Sequence, residues 1–139
     1  MSRSLTLESY MVKRPAKVNA NATVLEAVDI ILEHSVSGLC VVDDNDNLVG
    51  VLSELDCLRA IVDRIYVNKK PTAGYVYEVM TKDVETNKAG DDIISVAASM
   101  LESKRRRRPV VSGSDLVGQI TCRQILGAIN DFTVPSKSS

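Results

Sequence analysis

The chain repeats itself. Setting Met11 against Met80 brings the two halves into register at an offset of 69: MVKRP meets MTKDV, VLEAVDIILE (24–33) meets IISVAASMLE (93–102), and Val41-Val42 meets Val110-Val111. One residue then drops out of a loop, and LVGVLSELDCLRAI (48–61) meets LVGQITCRQILGAI (116–129) at an offset of 68. A recurring period of this size marks one supersecondary unit used twice. Whatever one half folds into, the other must fold into as well. Neither half, at roughly 60 residues, buries its apolar surface well alone, so the copies are expected to pack on each other.

Each copy reads β-α-β-β-α. In the first, a short extended piece near Ala16–Val18 leads to Thr23, a good helix cap, and then to Val24, Leu25, Ala27, Val28, Ile31 and Leu32 at the spacing of an amphipathic helix. Gly38 breaks that pattern. LCVV (39–42) and LVGVL (48–52) read as strands joined by the polar turn DDNDN (43–47), which lacks the glycine of a calcium loop and reads as a hairpin turn. A second helix follows, with Leu55, Leu58, Ile61, Val62 and Ile65 on one stripe. Copy two repeats the order, with Asp91 or Asp92 as the cap and 112–115 as its hairpin turn. The expected fold is α/β (α+β): two repeats related by a pseudo-twofold axis, packed through their sheets, with a cleft for each at the seam. The boundaries read as 8–67 and 76–132, with a linker at 68–75 and a disordered tail at 133–139.

Hydrophobic residues make up 45% of the chain and aromatic ones 4%, without Trp, so the core must be aliphatic. Seventeen basic residues against eighteen acidic give a net charge of −1, which provides no global attraction to nucleic acid or anionic membrane. No apolar run nears the roughly 20 residues of a membrane helix, and MSRSLTLES has no signal-peptide core, so a cytoplasmic setting is expected. Cys40, Cys57 and Cys122 fit neither a disulfide framework nor a zinc pattern, and each lies in an apolar segment expected to bury a reduced thiol. His34 is the only histidine. Its place at a helix end suits solvent or the helix dipole, no phosphate loop of the GxxxxGK[ST] type occurs, and no catalysis or metal site is expected.

The strongest local signal is Gly50-Val51-Leu52-Ser53-Glu54-Leu55-Asp56, a strand end running into a helix, matched by Gly118-Gln119-Ile120-Thr121-Cys122-Arg123-Gln124. Its plain reading is a capping box. The same geometry also offers N–H groups and a hydroxyl to an anion, and a carboxylate to a vicinal diol. Found twice in a duplicated β-α-β-β-α unit, with Met11 and Met80 opening the copies and LVG closing each strand pair, it resembles a tandem pair of cystathionine-β-synthase-type (CBS) domains, a Bateman module, over roughly residues 8–132.

The resemblance implies a stand-alone regulatory module that binds an adenosine-containing ligand (AMP, ADP or ATP) between its repeats, pairs into a homodimer and signals to a regulated protein. It needs no obligate cofactor. By position, Ser53 would contact phosphate or ribose, Asp56 the ribose hydroxyls, and the backbone of Pro15, Ala16, Lys17 and Val18 the adenine. Copy two keeps a hydroxyl at Thr121 but has Gln124 where Asp is expected. The basic run Lys104–Arg108 precedes a strand, and alternation selects two inward phosphate ligands, Arg106 and Arg107. The competing readings are an interaction module without ligand and, disfavoured by the net charge and by too few stacking aromatics, a nucleic-acid module using Arg105–Arg108. The apolar stripes Leu58, Ile61, Ile65 and Ile125, Ile129, Phe132 are the expected dimer contacts.

Overall fold

The helices begin where the sequence supplies caps. In the computed structural model, which describes residues 5–133, Thr23 accepts a hydrogen bond from the Glu26 N–H at the start of α1 (Val24–His34). Of the two candidate caps in copy two, Asp92 is the one used: it accepts from the Ser95 N–H at the start of α4 (Ile93–Ser103). Asp91 instead accepts from the Lys88 N–H in the preceding turn. Each helix ends on a residue with positive φ, Ser35 and Lys104 respectively, so the two copies stop alike.

The described residues fall into two compact units. One comprises 15–84 with 114–116; the other comprises 5–14, 85–113 and 117–133. The first holds a three-stranded sheet, β1 (Lys17–Asn19), β2 (Gly38–Val42) and β3 (Leu48–Ser53), with β2 in the middle, parallel to β1 and antiparallel to β3. All five residues of β2 are buried, as a central strand covered on both faces requires. The 43–47 segment is a hairpin turn in which Asp43 Oδ1 accepts from the Asn45 and Asn47 N–H groups. Val24, Ala27 and Ile31 of α1 join Val18, Leu39, Val41, Leu52, Cys57 and Val76 in the core.

In the second unit β4 (Arg107–Ser112) pairs with β5 (Asp115–Thr121). The extended piece that forms β1 in copy one shrinks here to a single parallel bridge, Asn87 to Val110. Ile93, Val96, Met100, Val110, Ile120, Ile125 and Ala128 make the core, joined by Leu7 from the start of the chain.

The copies exchange their opening segments. Val12 of copy one bridges Gln119 of copy two, each donating an N–H to the other at 2.9 Å, and Thr81 of copy two bridges Val51 of copy one in the same way. Glycine makes this possible. A methyl group on Gly50 would come within 2.7 Å of the Thr81 carbonyl oxygen and 2.8 Å of Met80 Sδ; on Gly118 it would meet the Val12 carbonyl and Met11 Sδ, both at 2.8 Å. Gly50→Ala and Gly118→Ala are therefore each expected to cost about 1–3 kcal/mol by overpacking, a fall in Tm of roughly 4–12 °C. Gly127, in α5 (Cys122–Thr133), has nothing within 4 Å of such a methyl. Gly127→Ala should instead gain about 0.5–1 kcal/mol from helix propensity. Melting curves of the three variants test the contrast in sign.

Two expectations need correction. Cys40 and Cys57 are buried, but Cys122 is exposed, because the first residues of α5 face solvent and not the core. The second-helix stripe is also split. After α2 (Glu54–Ala60) the backbone widens into a π-helical segment, Ile61–Val67, closed by the Asn68 N–H reaching back five residues to Asp63. Ile61 and Ile65 pack on the core of their own unit, as Ile125 and Ile129 do on theirs. Leu58 is 58% exposed, and beside it in sequence Leu55, Val62, Tyr66 and Val67 are exposed too. The 134–139 part of the tail lies outside the described residues.

Candidate functional site

Strand register gathers most of the predicted residues of copy one at one end of its sheet. Gly38, the first residue of β2, stands opposite Ser53, the last of β3. On the other flank of β2 the Ala16 carbonyl accepts from the Cys40 N–H, and Lys17 stands opposite Cys40. The approach to β1 and the start of α2 thus lie on either side of one strand, about 10 Å apart by two strand spacings. Within β1 the alternation turns Ala16 and Val18 toward β2, leaving the main-chain N–H and C=O of Lys17 on the open edge. The Lys17 ammonium is drawn to Asp46 in the hairpin turn at 2.6 Å, so this residue can offer a ligand its backbone before its charge. Val18 is buried in the core.

At the start of α2 the capping box is fully formed. Ser53 Oγ accepts from the Asp56 N–H, and Asp56 Oδ2 accepts from the Ser53 N–H, both at 3.0 Å. The cap uses Oδ2; among the described residues Oδ1 has the Arg59 guanidinium near it, at 4.0 Å, on a side chain that is 20% exposed. A carboxylate accepts at both oxygens, so capping and ligand contact are compatible. Burial pushes the neighbouring Cys57 thiol up to about 11, with the Asp56 charge adding to the effect. That thiol is protonated and unreactive at neutral pH.

The second copy builds the same cap from different atoms. Gln124 Oε1 accepts from the Thr121 N–H at 3.0 Å, and Thr121 Oγ1 from the Gln124 N–H at 3.4 Å. The backbone tie before the helix is also kept: Cys122 N–H donates to the Arg106 carbonyl at 3.0 Å, as Glu54 N–H does to Ser37 at 2.9 Å. Arg106 therefore occupies the place of Ser37, at the first turn of α5. Arg106 is exposed, and Arg107, the first residue of β4, is half-buried.

The arginine buried in the core is Arg108, only 3% exposed, a member of the Arg105–Arg108 run. It donates to Ser99 Oγ at 2.8 Å, Asn87 Oδ1 at 3.3 Å and Ser103 Oγ at 3.2 Å, and pairs with Glu85 at 3.2 Å. The signal that identifies it is its counterpart in copy one, Leu39, a core strand position. Asn87 and Ser99 likewise replace Val18 and Ile30. A polar cluster stands in copy two where copy one is apolar.

The CBS domain family model matches this chain twice, over 7–63 and 76–131. The chain belongs to the CBS domain family. Among CBS-pair structures, CBSX2 in complex with AMP, a protein of Arabidopsis thaliana, superimposes with a TM-score of 0.82 at 28% identity, covering 93% of this chain and 98% of that one. The CBS domain pair of the protein MJ0100, in complex with 5′-methylthioadenosine and S-adenosyl-L-methionine, gives 0.80 at 25% identity over the same shares. By sequence, an uncharacterized protein of Methanocaldococcus jannaschii is 35% identical over 101 residues, and inosine-5′-monophosphate dehydrogenase of that organism is 35% identical over 120. Those alignments cover 73% and 86% of this chain but 34% and 22% of the relatives, so this CBS pair spans only part of the length of either. Among the described residues no helix is long and apolar enough to cross a membrane.

Proposed function

We propose that this CBS pair is a regulatory module that binds an adenosine-containing nucleotide and passes the resulting shift to a partner protein, with no catalytic step of its own. The observation that carries the reading is the Asp56 carboxylate at the start of α2, capped through one oxygen and open at the other, at the same sheet end as the approach to β1. In this reading Oδ1 accepts from the ribose hydroxyls, Ser53 stands beside the ribose or phosphate, and the backbone of Pro15–Val18 meets the adenine edge. Arg106, Arg107, Thr121 and Gln124 form the corresponding half-site of copy two. The AMP and S-adenosylmethionine complexes of the structural relatives support an adenosyl ligand. Binding would favour one relative disposition of the repeats, which a partner reads. The nucleic-acid alternative is weakened by the burial of Arg108, which removes one cation from the exposed run.

A thermal-shift series with AMP, ADP, ATP, S-adenosylmethionine and GMP tests the reading. A ligand at a hundred times its Kd contributes about 2.7 kcal/mol, a rise in Tm on the order of 5–15 °C at this size. If no adenosine compound at millimolar concentration moves Tm by a degree, a ligand-free interaction module takes its place. The same reading includes a homodimer, now assigned to the exposed Leu55, Leu58, Val62 and Tyr66 of α2 and the segment after it. Light scattering near 30 kDa, against 15.1 kDa for one chain, supports it; a monomer mass at micromolar concentration refutes it.

A further inference from the structure

Both units leave the same apolar positions uncovered. Leu25, Leu32 and Leu58 of the first correspond, at the offsets of the duplication, to Ile94, Leu101 and Leu126 of the second, and all six are more than half exposed. Leu25 and Leu32 stand seven apart in α1, as Ile94 and Leu101 do in α4, so each pair lies on one helix face. Leu58 is on α2, which packs beside α1, and Leu126 is on α5, which packs beside α4. The exposed positions around them have changed: Glu26, Asp29, Leu55, Arg59 and Val62 answer to Ser95, Ala98, Arg123, Gly127 and Asn130. A single exposed leucine needs no explanation, but a large apolar side chain kept in solvent at the same three places in both copies does.

The units differ sharply in charge. The first carries twelve acidic and six basic residues, a net −6; the described residues of the second carry six acidic and nine basic, a net +3. The imbalance reaches the helices. α1, α2 and the π-helical segment hold Glu26, Asp29, Glu33, Glu54, Asp56 and Asp63 against Arg59 and Arg64. α4 and α5 hold Glu102 and Asp131 against Arg123, and α4 runs directly into the exposed Lys104, Arg105 and Arg106. If the first unit met its own counterpart in a dimer, −6 would face −6. Set crosswise, each −6 unit faces a +3 unit. Like charges across an interface oppose pairing and opposite charges select it.

We propose that the helix surface of the first unit is the docking site for the helix surface of the second unit in another copy of this chain, and that the charge difference sets this crosswise orientation. A twofold axis repeats the contact, so that Leu58 of each subunit lies near the partner's Leu126 and away from the partner's Leu58. The proposal rests on the homodimer of the reading above and not on its nucleotide, and the measurements below part the two.

Cysteine pairing reads the orientation. In a Cys122→Ser background, which removes the exposed thiol, Leu58→Cys and Leu126→Cys are prepared as separate full-length chains, mixed so that subunits exchange, and oxidised. Both positions are exposed, so neither change touches the core. The mixture should give a disulfide-linked dimer with one chain of each kind, and either variant alone should give several-fold less. Raising sodium chloride from about 50 to 500 mM should weaken the natural dimer about tenfold in Kd, because salt screens attraction between exposed charges. The crosswise orientation is overturned if Leu58→Cys alone links to itself as readily as the mixture links, if the mixture links no better than either variant alone, or if salt tightens the dimer. A mass of 15.1 kDa at micromolar concentration removes the homodimer and this proposal together, and leaves the surface to a different protein. Self-linking of Leu58→Cys in a chain whose Tm rises with AMP would sink this proposal and keep the adenosine reading. Crosswise linking without any nucleotide response would do the opposite.

Discussion

Asp56→Asn should abolish tight nucleotide binding without lowering Tm. The asparagine carbonyl can still accept from the Ser53 N–H, so the cap survives, but the atom left facing outward becomes an NH2 in place of an acceptor oxygen. Losing a charge-assisted hydrogen bond costs roughly 1.5–3 kcal/mol, which is about ten- to a hundredfold in affinity. The companion Asp56→Ala should lose the same affinity and, in addition, about 1 kcal/mol of stability with the cap. Against a typical domain stability of about 5–15 kcal/mol that loss leaves the chain folded. Calorimetry on the natural chain should show one tight adenosine site, since copy two lacks the carboxylate. Two equal sites, or an Asp56→Asn protein that binds like the natural one, would reduce the motif to a helix cap.

Arg108→Ala should be the most damaging single change to the fold. It removes a side chain that is 3% exposed and orphans Asn87 Oδ1 and the Ser99 and Ser103 hydroxyls together. These groups are half-buried, so each lost bond should cost near the low end of the roughly 1–3 kcal/mol of an unpaired buried polar group. The hydroxyl of Ser103 keeps a fallback in the Ser99 carbonyl, so the total should come to roughly 3 kcal/mol, before any cavity term. Most of it should be recovered in the triple variant Asn87→Val, Ser99→Ile, Arg108→Leu, which installs the residues that copy one carries at the equivalent positions. Replacing all the partners of a polar cluster with apolar groups is often nearly neutral, whereas removing one partner is not. Denaturant titrations of the single and triple variants decide the matter. An Arg108→Ala protein within 1 kcal/mol of the natural chain would mean that the cluster contributes little.

Much of this fold is written locally. The duplication, the hairpin turn at 43–47, the caps at Thr23, Ser53 and Thr121, and the alternation of the strand pairs all depend on residues a few positions apart, whose hydrogen bonds and side-chain periods follow from the backbone alone. The motif of the candidate site is legible for the same reason: Ser53 and Asp56 are three residues apart on one helix start, and so are Thr121 and Gln124.

Other features needed the folded chain. That Met11 lies against Gly118 and Met80 against Gly50 joins positions separated by a large part of the sequence, and a duplicated pattern is equally consistent with each opener packing on its own copy. Strand alternation pointed to Arg106 and Arg107 as the inward arginines; the one buried in the core is Arg108, because Asn87, Ser99 and Ser103 come from other elements to satisfy its guanidinium. The apolar stripe from Leu55 divided between core and surface: Leu55, Leu58 and Val62 are exposed, while Ile61 and Ile65 pack on the core. Sequence alone determined the unit, its doubling and the residue types at each helix start. Tertiary structure decided which segments join which unit and which cation is buried, because burial and hydrogen-bond satisfaction at those places are settled by partners distant along the chain.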